Sequence, residues 1–193
     1  MKAHDGLDTA PIAFPPLTIA GLDELDELYG TVSHTVSLLD PGIELPAGLD
    51  RLGHRWHRLL RFHDEVEDFG PRPGPRRGDI EALMNAGDEL SRQTVERLLV
   101  HCHMGVSRST VAAAILMARA NPGREEAVFA EIARIRQPAW PNSRMLKLAD
   151  EVSGGATRLA EAAKDLYADT AAAFPDFAEA LRASPRGHEV PGG

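Results

Sequence analysis

The only cysteine of the chain, Cys102, stands in the run His101-Cys-His-Met-Gly-Val-Ser-Arg-Ser109. A thiol, a glycine, an arginine and a hydroxyl so spaced suit nucleophilic attack on an anionic group. Residues 97–101, with Leu98, Leu99 and Val100 as an apolar run too short for a helix, read as a buried central strand running into the cysteine. From Ser107 onward Val111, Ile115, Leu116, Ala118 and Ala120 give a nearly all-apolar helix, expected to lie against the sheet. A helix N-terminus has backbone N–H groups without partners and about half a positive charge. The amides of His103, Met104, Gly105, Val106, Ser107 and Arg108 are therefore expected to cradle phosphoryl oxygens, with Gly105 free to take angles closed to other residues. The same field acts on the thiol. Free cysteines titrate near ~8.5 and those at helix N-termini beside cations at about 3.5–7.5, so Cys102 is expected to be a thiolate nucleophile. The planar fork of Arg108 holds two oxygens at once. Ser109, in the first helical turn, is placed to hydrogen-bond the sulfur and ease its departure.

Two other chemistries fit these residues less well. A metal site would draw on His101, Cys102 and His103 with His54, His57 or His63, but successive strand residues point to opposite faces, which makes a poor ligand set. A nucleotide loop of the Gly-x4-Gly-Lys-Ser/Thr kind does not occur in the sequence.

The pattern His101-Cys102-x5-Arg108-Ser109 resembles the signature of the cysteine-dependent protein tyrosine and dual-specificity phosphatases, in a compact, bacterial-type form. Pro141-Asn142, after Trp140, resembles the Pro-Asn that follows the helix pair in dual-specificity members, at a similar remove from the signature loop, so the likeness spans roughly residues 17–152. It implies α/β architecture with a central, mostly parallel sheet flanked by helices on both faces. It also implies hydrolysis of phosphomonoesters through phosphocysteine, without metal or cofactor. Carried over, Cys102 is the nucleophile, Arg108 the phosphate clamp and Ser109 the donor to the leaving thiolate. His101 and Asn142 are supporting residues. The implied substrate is a phosphorylated protein or peptide, phosphotyrosine with tolerance for phosphoserine and phosphothreonine. Residues 103–107 include no lysine, which disfavours the 3-phosphoinositides taken by more basic loops. A noncatalytic phosphate-binding module keeps the same loop and is the alternative.

An alkoxide or aryloxide is a poor leaving group, so the first step needs a proton donor. The resemblance implies an aspartate on a loop before the cysteine strand, and Asp64 and Asp68 are the candidates. Asp64 follows directly on a predicted strand, which would hold it at the same sheet edge as Cys102, and a preorganised group loses less on positioning. It is the preferred acid, with Asp68, beside Gly70 and a proline-rich loop, the alternative.

These residues need elements to carry them. Short apolar runs alternating with helical periodicity suggest α/β. Residues 1–16, with Pro11, Pro15 and Pro16, read as an irregular lead, and Gly21 opens a short helix with Leu22, Leu25 and Leu28 on one face. Strands are expected at 33–39, ended by the turn Asp40-Pro-Gly, and at 56–62. Asp79 is expected to cap a helix carrying Ile80, Leu83, Met84 and Leu90. Further helices are expected at 124–136, 143–151 and, as one piece, 156–182, completing a single domain over 17–183. Residues 184–193 have nothing to bury and read as a disordered tail.

Composition sets the outer limits. A chain of 193 residues, 43% apolar and 26% charged, can bury a core without disulfides or a structural metal. Its net charge of −8 argues against general nucleic-acid or anionic-membrane binding, although residues 51–63 hold four arginines, three histidines and no acid, which suggests a cationic rim beside the cleft. An acid near the N-terminus and the lack of any long apolar run, together with the lone thiol, point to the cytoplasm.

Overall fold

The computed structural model describes residues 10–67 and 72–192. Four strands, β1 (Leu17–Ala20), β2 (His34–Leu39), β3 (Trp56–Arg61) and β4 (Leu98–His101), form one sheet in the order β1-β4-β2-β3. Every pairing is parallel, with Val36 opposite Val100 and Ser37 opposite His101. Parallel strands must be covered on both faces, and accordingly every residue of β2 and β4 is buried. Leu98, Val100 and Cys102 face the main core, while Leu99 joins a smaller cluster behind the sheet.

The helices are α1 (Arg77–Leu90), α2 (Arg108–Ala120), α3 (Glu125–Ile135), α4 (Ser143–Val152), α5 (Leu159–Ala173) and α6 (Pro175–Arg182). The apolar reading of α2 holds: it is buried continuously from Arg108 to Ala118 and packs on the sheet with α1, α3 and α4 around it. Coverage of the two faces is unequal. Behind the sheet lie the short 3₁₀ helices Leu22–Leu28 and Leu49–Leu52, which bury Leu25, Leu49 and Leu52 against Ala20, Val32 and Leu99.

Three sequence expectations need correction. Asp79 is the third residue of α1, not its cap, and its carboxylate accepts from the Arg76 amide at 2.8 Å. The expected single helix over 156–182 is broken at Phe174, because Pro175 cannot donate the hydrogen bond a helix interior requires and instead starts α6. The end of the chain is packed rather than left with nothing to bury. Gly187–Glu189 form a 3₁₀ turn, Val190 is buried, and the Trp140 indole donates to Glu189 at 3.0 Å. A fully buried indole N–H needs an acceptor, and the tail supplies it.

Polar side chains also line the thinner face. The Ser37 hydroxyl lies 2.6 Å from His101 Nε2 and 2.8 Å from His57 Nε2. Burial pushes both imidazoles down to about 4. An unfolded histidine binds its proton near ~6.5, so between that value and about 4 the unfolded chain holds protons that the folded chain does not. Stability should therefore fall as pH drops through this window, with His101 alone contributing up to about 3 kcal/mol. Urea unfolding at pH 7 and pH 4.5 is expected to show a smaller pH-dependent loss in His101→Asn than in wild type. Equal losses in the two proteins would overturn this assignment.

Candidate active site

Because the strands are parallel, their carboxyl ends deliver the following residues to one edge of the sheet. β1 leads to Gly21, β4 to Cys102, β2 to Asp40 and, just past its end, β3 to Asp64. A cleft of about 330 Å³ at this edge is lined by Cys102, Arg108, Asp40 and Asp64, among others.

Cys102 is buried, with its Sγ 3.2 Å from the Ser109 hydroxyl, the contact expected from their spacing. The loop after it turns its carbonyls outward. Those of His103, Met104, Val106 and Ser107 accept from the Leu22 amide (2.9 Å), Arg136 Nη2 (2.8 Å), the Trp140 amide (2.9 Å) and the Thr110 hydroxyl (2.7 Å). Among the described residues, no acceptor meets an amide of residues 103–107. The backbone thus presents consecutive free donors at the N-terminus of α2, a site suited to an anion. Met104 is 72% exposed and stands at the rim of the same cleft.

Arg108 is 3% exposed. Its Nη1 donates to Asp40 Oδ1 and to the Phe62 carbonyl, both at 2.7 Å, while its buried Nε has no partner among the described residues. The guanidinium is therefore fixed along one edge and keeps donor capacity on the other. Asp40, read in the sequence only as a turn residue, is the anchor. It also lies 3.1 Å from His63 Nδ1 and 3.5 Å from Arg72. Burial alone would raise its carboxyl, but His63 and Arg108 hold it below the usual carboxylate range. The available signal was its position, a carboxylate at the end of the strand beside the cysteine strand.

Asp64 lies in the same cleft, and its Oδ1 accepts from the Ser107 hydroxyl (2.8 Å) and from Asn142 Nδ2 (2.7 Å). Asn142 also caps α4 through Oδ1, accepting from the Met145 amide at 3.0 Å, so one amide both starts a helix and holds a carboxylate. Asp68 lies outside the described residues. Sequence reasoning missed Arg186 altogether by assigning it to a tail. It donates to the Ser107 hydroxyl at 2.8 Å and lies 3.7 Å from Asp64 Oδ2. Phe177 and Leu181 of α6 line the same cleft.

His101 points to Ser37 behind the sheet, Cys102 to Ser109, and His103 to Asp40, whose amide lies 3.4 Å from its Nε2. The three side chains diverge, as the alternation of a strand requires. The arginines of residues 51–63 do not gather at the cleft. Arg55 pairs with Glu96, Arg58 with Glu89, Arg61 binds the Asp40 and Ile43 carbonyls, and Arg51 stacks on Tyr29. A cavity of about 360 Å³ lies at the opposite strand ends, between the N-terminal segment and α3; its charged lining groups are Arg97, Glu131 and Arg134, the last two paired with each other.

No family model and no curated protein matches the chain. Solved structures do. Tk-PTP in its active form aligns over 73% of this chain and 93% of its own, with a TM-score of 0.50 and 21% identity. PTPMT1 aligns over 77% and 95%, with a TM-score of 0.52 and 18% identity. The human tyrosine phosphatase-like serine/threonine/tyrosine-interacting protein aligns over 72% and 88%, with a TM-score of 0.52 and 15% identity. The chain has the protein tyrosine phosphatase fold. Among the described residues of this phosphatase-fold chain, no helix is long and apolar enough to cross a membrane.

Gly105 is the residue on which the loop's shape depends. Its φ is +71°, and a Cβ there would lie 2.7 Å from the Ala20 carbonyl carbon, the Gly21 nitrogen and Arg136 Nη2. Gly105→Ala is expected to cost about 1–3 kcal/mol in denaturant unfolding and to weaken binding of tungstate, an oxyanion probe, measured by calorimetry. Unchanged oxyanion affinity would show that the loop does not depend on this conformation.

Proposed function

We propose that the chain is a cysteine-dependent phosphatase of phosphoproteins, acting through a phosphocysteine intermediate. The observation that carries this reading is the set of unpaired donors around one sulfur. The amides of residues 103–107 lack acceptors among the described residues, and Arg108 Nε lacks one beside them. Three nonbridging oxygens of a phosphoryl group are the acceptors such a set fits.

The Cys102 thiolate attacks phosphorus in line as the bond to the leaving oxygen breaks. The departing electron pair takes its proton from Asp64, whose Oδ2 carries it because Oδ1 is occupied by Ser107 and Asn142. Arg108, anchored by Asp40, and the loop amides balance the charge on the transferring group. Water then attacks the phosphocysteine and gives its proton to Asp64, and the S–P bond breaks. The Ser109 hydroxyl, 3.2 Å away, stabilises the returning thiolate. The substrates are proteins phosphorylated on tyrosine, with tolerance for serine and threonine. The setting is cytoplasmic, where a lone thiol stays reduced.

The alternative is a module that grips phosphate without turnover. One neighbour is named as a phosphatase-like interacting protein, so fold alone does not decide. Catalysis is favoured by Asp64, a carboxyl held in the cleft with one oxygen open, a group that binding alone does not call for.

Two results follow. Hydrolysis of p-nitrophenyl phosphate should fall below about 1% of wild type in Cys102→Ser; an active Ser variant, or an inactive wild type, refutes the proposal. With phenyl phosphate, Asp64→Asn should lose about 10²–10⁴-fold in kcat/KM. The wild-type pH profile should be bell-shaped, since thiolate must coexist with a protonated carboxyl. A rate rising steadily into alkaline pH would remove Asp64 from its role.

A further inference from the structure

We propose that Arg186 is a positioning residue for the proton-donating carboxyl of Asp64, which makes the C-terminal segment part of the catalytic cleft. The inference rests on the phosphatase reading above. Arg186 Nη1 donates to the Ser107 hydroxyl at 2.8 Å, and that hydroxyl lies 2.8 Å from Asp64 Oδ1. A guanidinium has only donors, so the Ser107 oxygen must accept from it and the hydroxyl hydrogen is left to point at Asp64. Arg186 thereby fixes which carboxyl oxygen is occupied. With Oδ1 taken by Ser107 and Asn142, Oδ2 is the oxygen that carries the mobile proton.

The same guanidinium lies 3.7 Å from Oδ2. As the proton passes to the leaving oxygen, negative charge grows on this carboxyl within reach of a fixed cation. That interaction strengthens as transfer proceeds.

The arginine is held for this task. Its Nε donates to Glu189 at 2.7 Å and its Nη2 reaches the Trp140 and Pro141 carbonyls at 3.4 Å. The Glu189 side chain is only 2% exposed and is tied in turn to the Trp140 indole. Arg186 itself lines the cleft beside Phe177 and Leu181 of α6. One side chain therefore joins the carboxylate-bearing loop, the phosphate loop and the end of the chain.

The test compares two esters that differ in their need for a proton. Phenyl phosphate expels a basic oxide, whereas difluoromethylumbelliferyl phosphate expels an acidic one. Arg186→Met is expected to lower kcat/KM on phenyl phosphate by about 10–100-fold and on the fluorinated ester by less than about 3-fold, because only the first needs general acid catalysis. Arg186→Lys, which keeps a cationic donor, should recover most of the phenyl phosphate rate. Equal losses on both esters in both variants, whether or not the fold is retained, would make Arg186 a structural pin and overturn the proposal, as would a methionine variant unchanged on both. An inactive wild type would instead overturn the phosphatase reading, and this inference with it.

Discussion

Backbone amides without acceptors normally destabilise a folded chain, by about 1–3 kcal/mol each when buried, yet among the described residues nothing accepts from those of 103–107, which follow one another beside the sulfur. The chain sustains this by binding the other side of most of the loop's peptides. The carbonyls of His103, Met104, Val106 and Ser107 are tied to the Leu22 amide, Arg136, the Trp140 amide and Thr110, which come from three different parts of the sequence. With the carbonyls fixed outward, the amide dipoles have one remaining direction, into the cleft. The sheet, the buried α2 and the turn after α3 are all required for that one constraint.

The arginine that closes the loop poses a second problem. A guanidinium almost wholly removed from solvent is costly unless paired, and a pair satisfied on every side would leave nothing for an incoming anion. Asp40 and the Phe62 carbonyl resolve this by engaging one nitrogen only. Asp40 is in turn surrounded by His63 and Arg72, so its charge is balanced without drawing further on Arg108. The guanidinium is oriented before any anion arrives, which lowers the ordering cost of binding one.

What could be read from sequence follows from which contacts are local. Cys102, Arg108 and Ser109 lie within one strand-loop-helix unit, and apolar spacing in β4 and α2 was enough to place them together. Asp64 was legible because it follows a strand directly. Asn142 was visible as a residue of interest, but its bond to Asp64 joins positions 78 apart, and nothing in local periodicity encodes that. Asp40 was hidden behind its own turn signal: Asp-Pro-Gly explains an aspartate fully, so the carboxylate's second use leaves no trace. The division of 156–182 into α5 and α6 was available in Pro175, which amphipathic spacing on both sides concealed.

The end of the chain is the most instructive case, because its composition is that of a tail: Ser184-Pro-Arg-Gly-His-Glu-Val-Pro supplies one apolar side chain of any size. Burial of Val190 alone could not order it. What orders it is a demand from elsewhere. Trp140 sits fully buried with an indole hydrogen to place, and the Trp140 and Pro141 carbonyls face the cleft edge. Glu189 and Arg186 meet those needs together, and they pair with each other as they do so. Composition measures what a segment can bury by itself, whereas here the segment is held by polar groups that the core had already buried and left incomplete. Once it is in place, α6 cannot swing away without breaking the Arg186 contacts to Ser107 and Asp64, so the order of the last helix and the placement of the Asp64 carboxyl rest on the same few contacts.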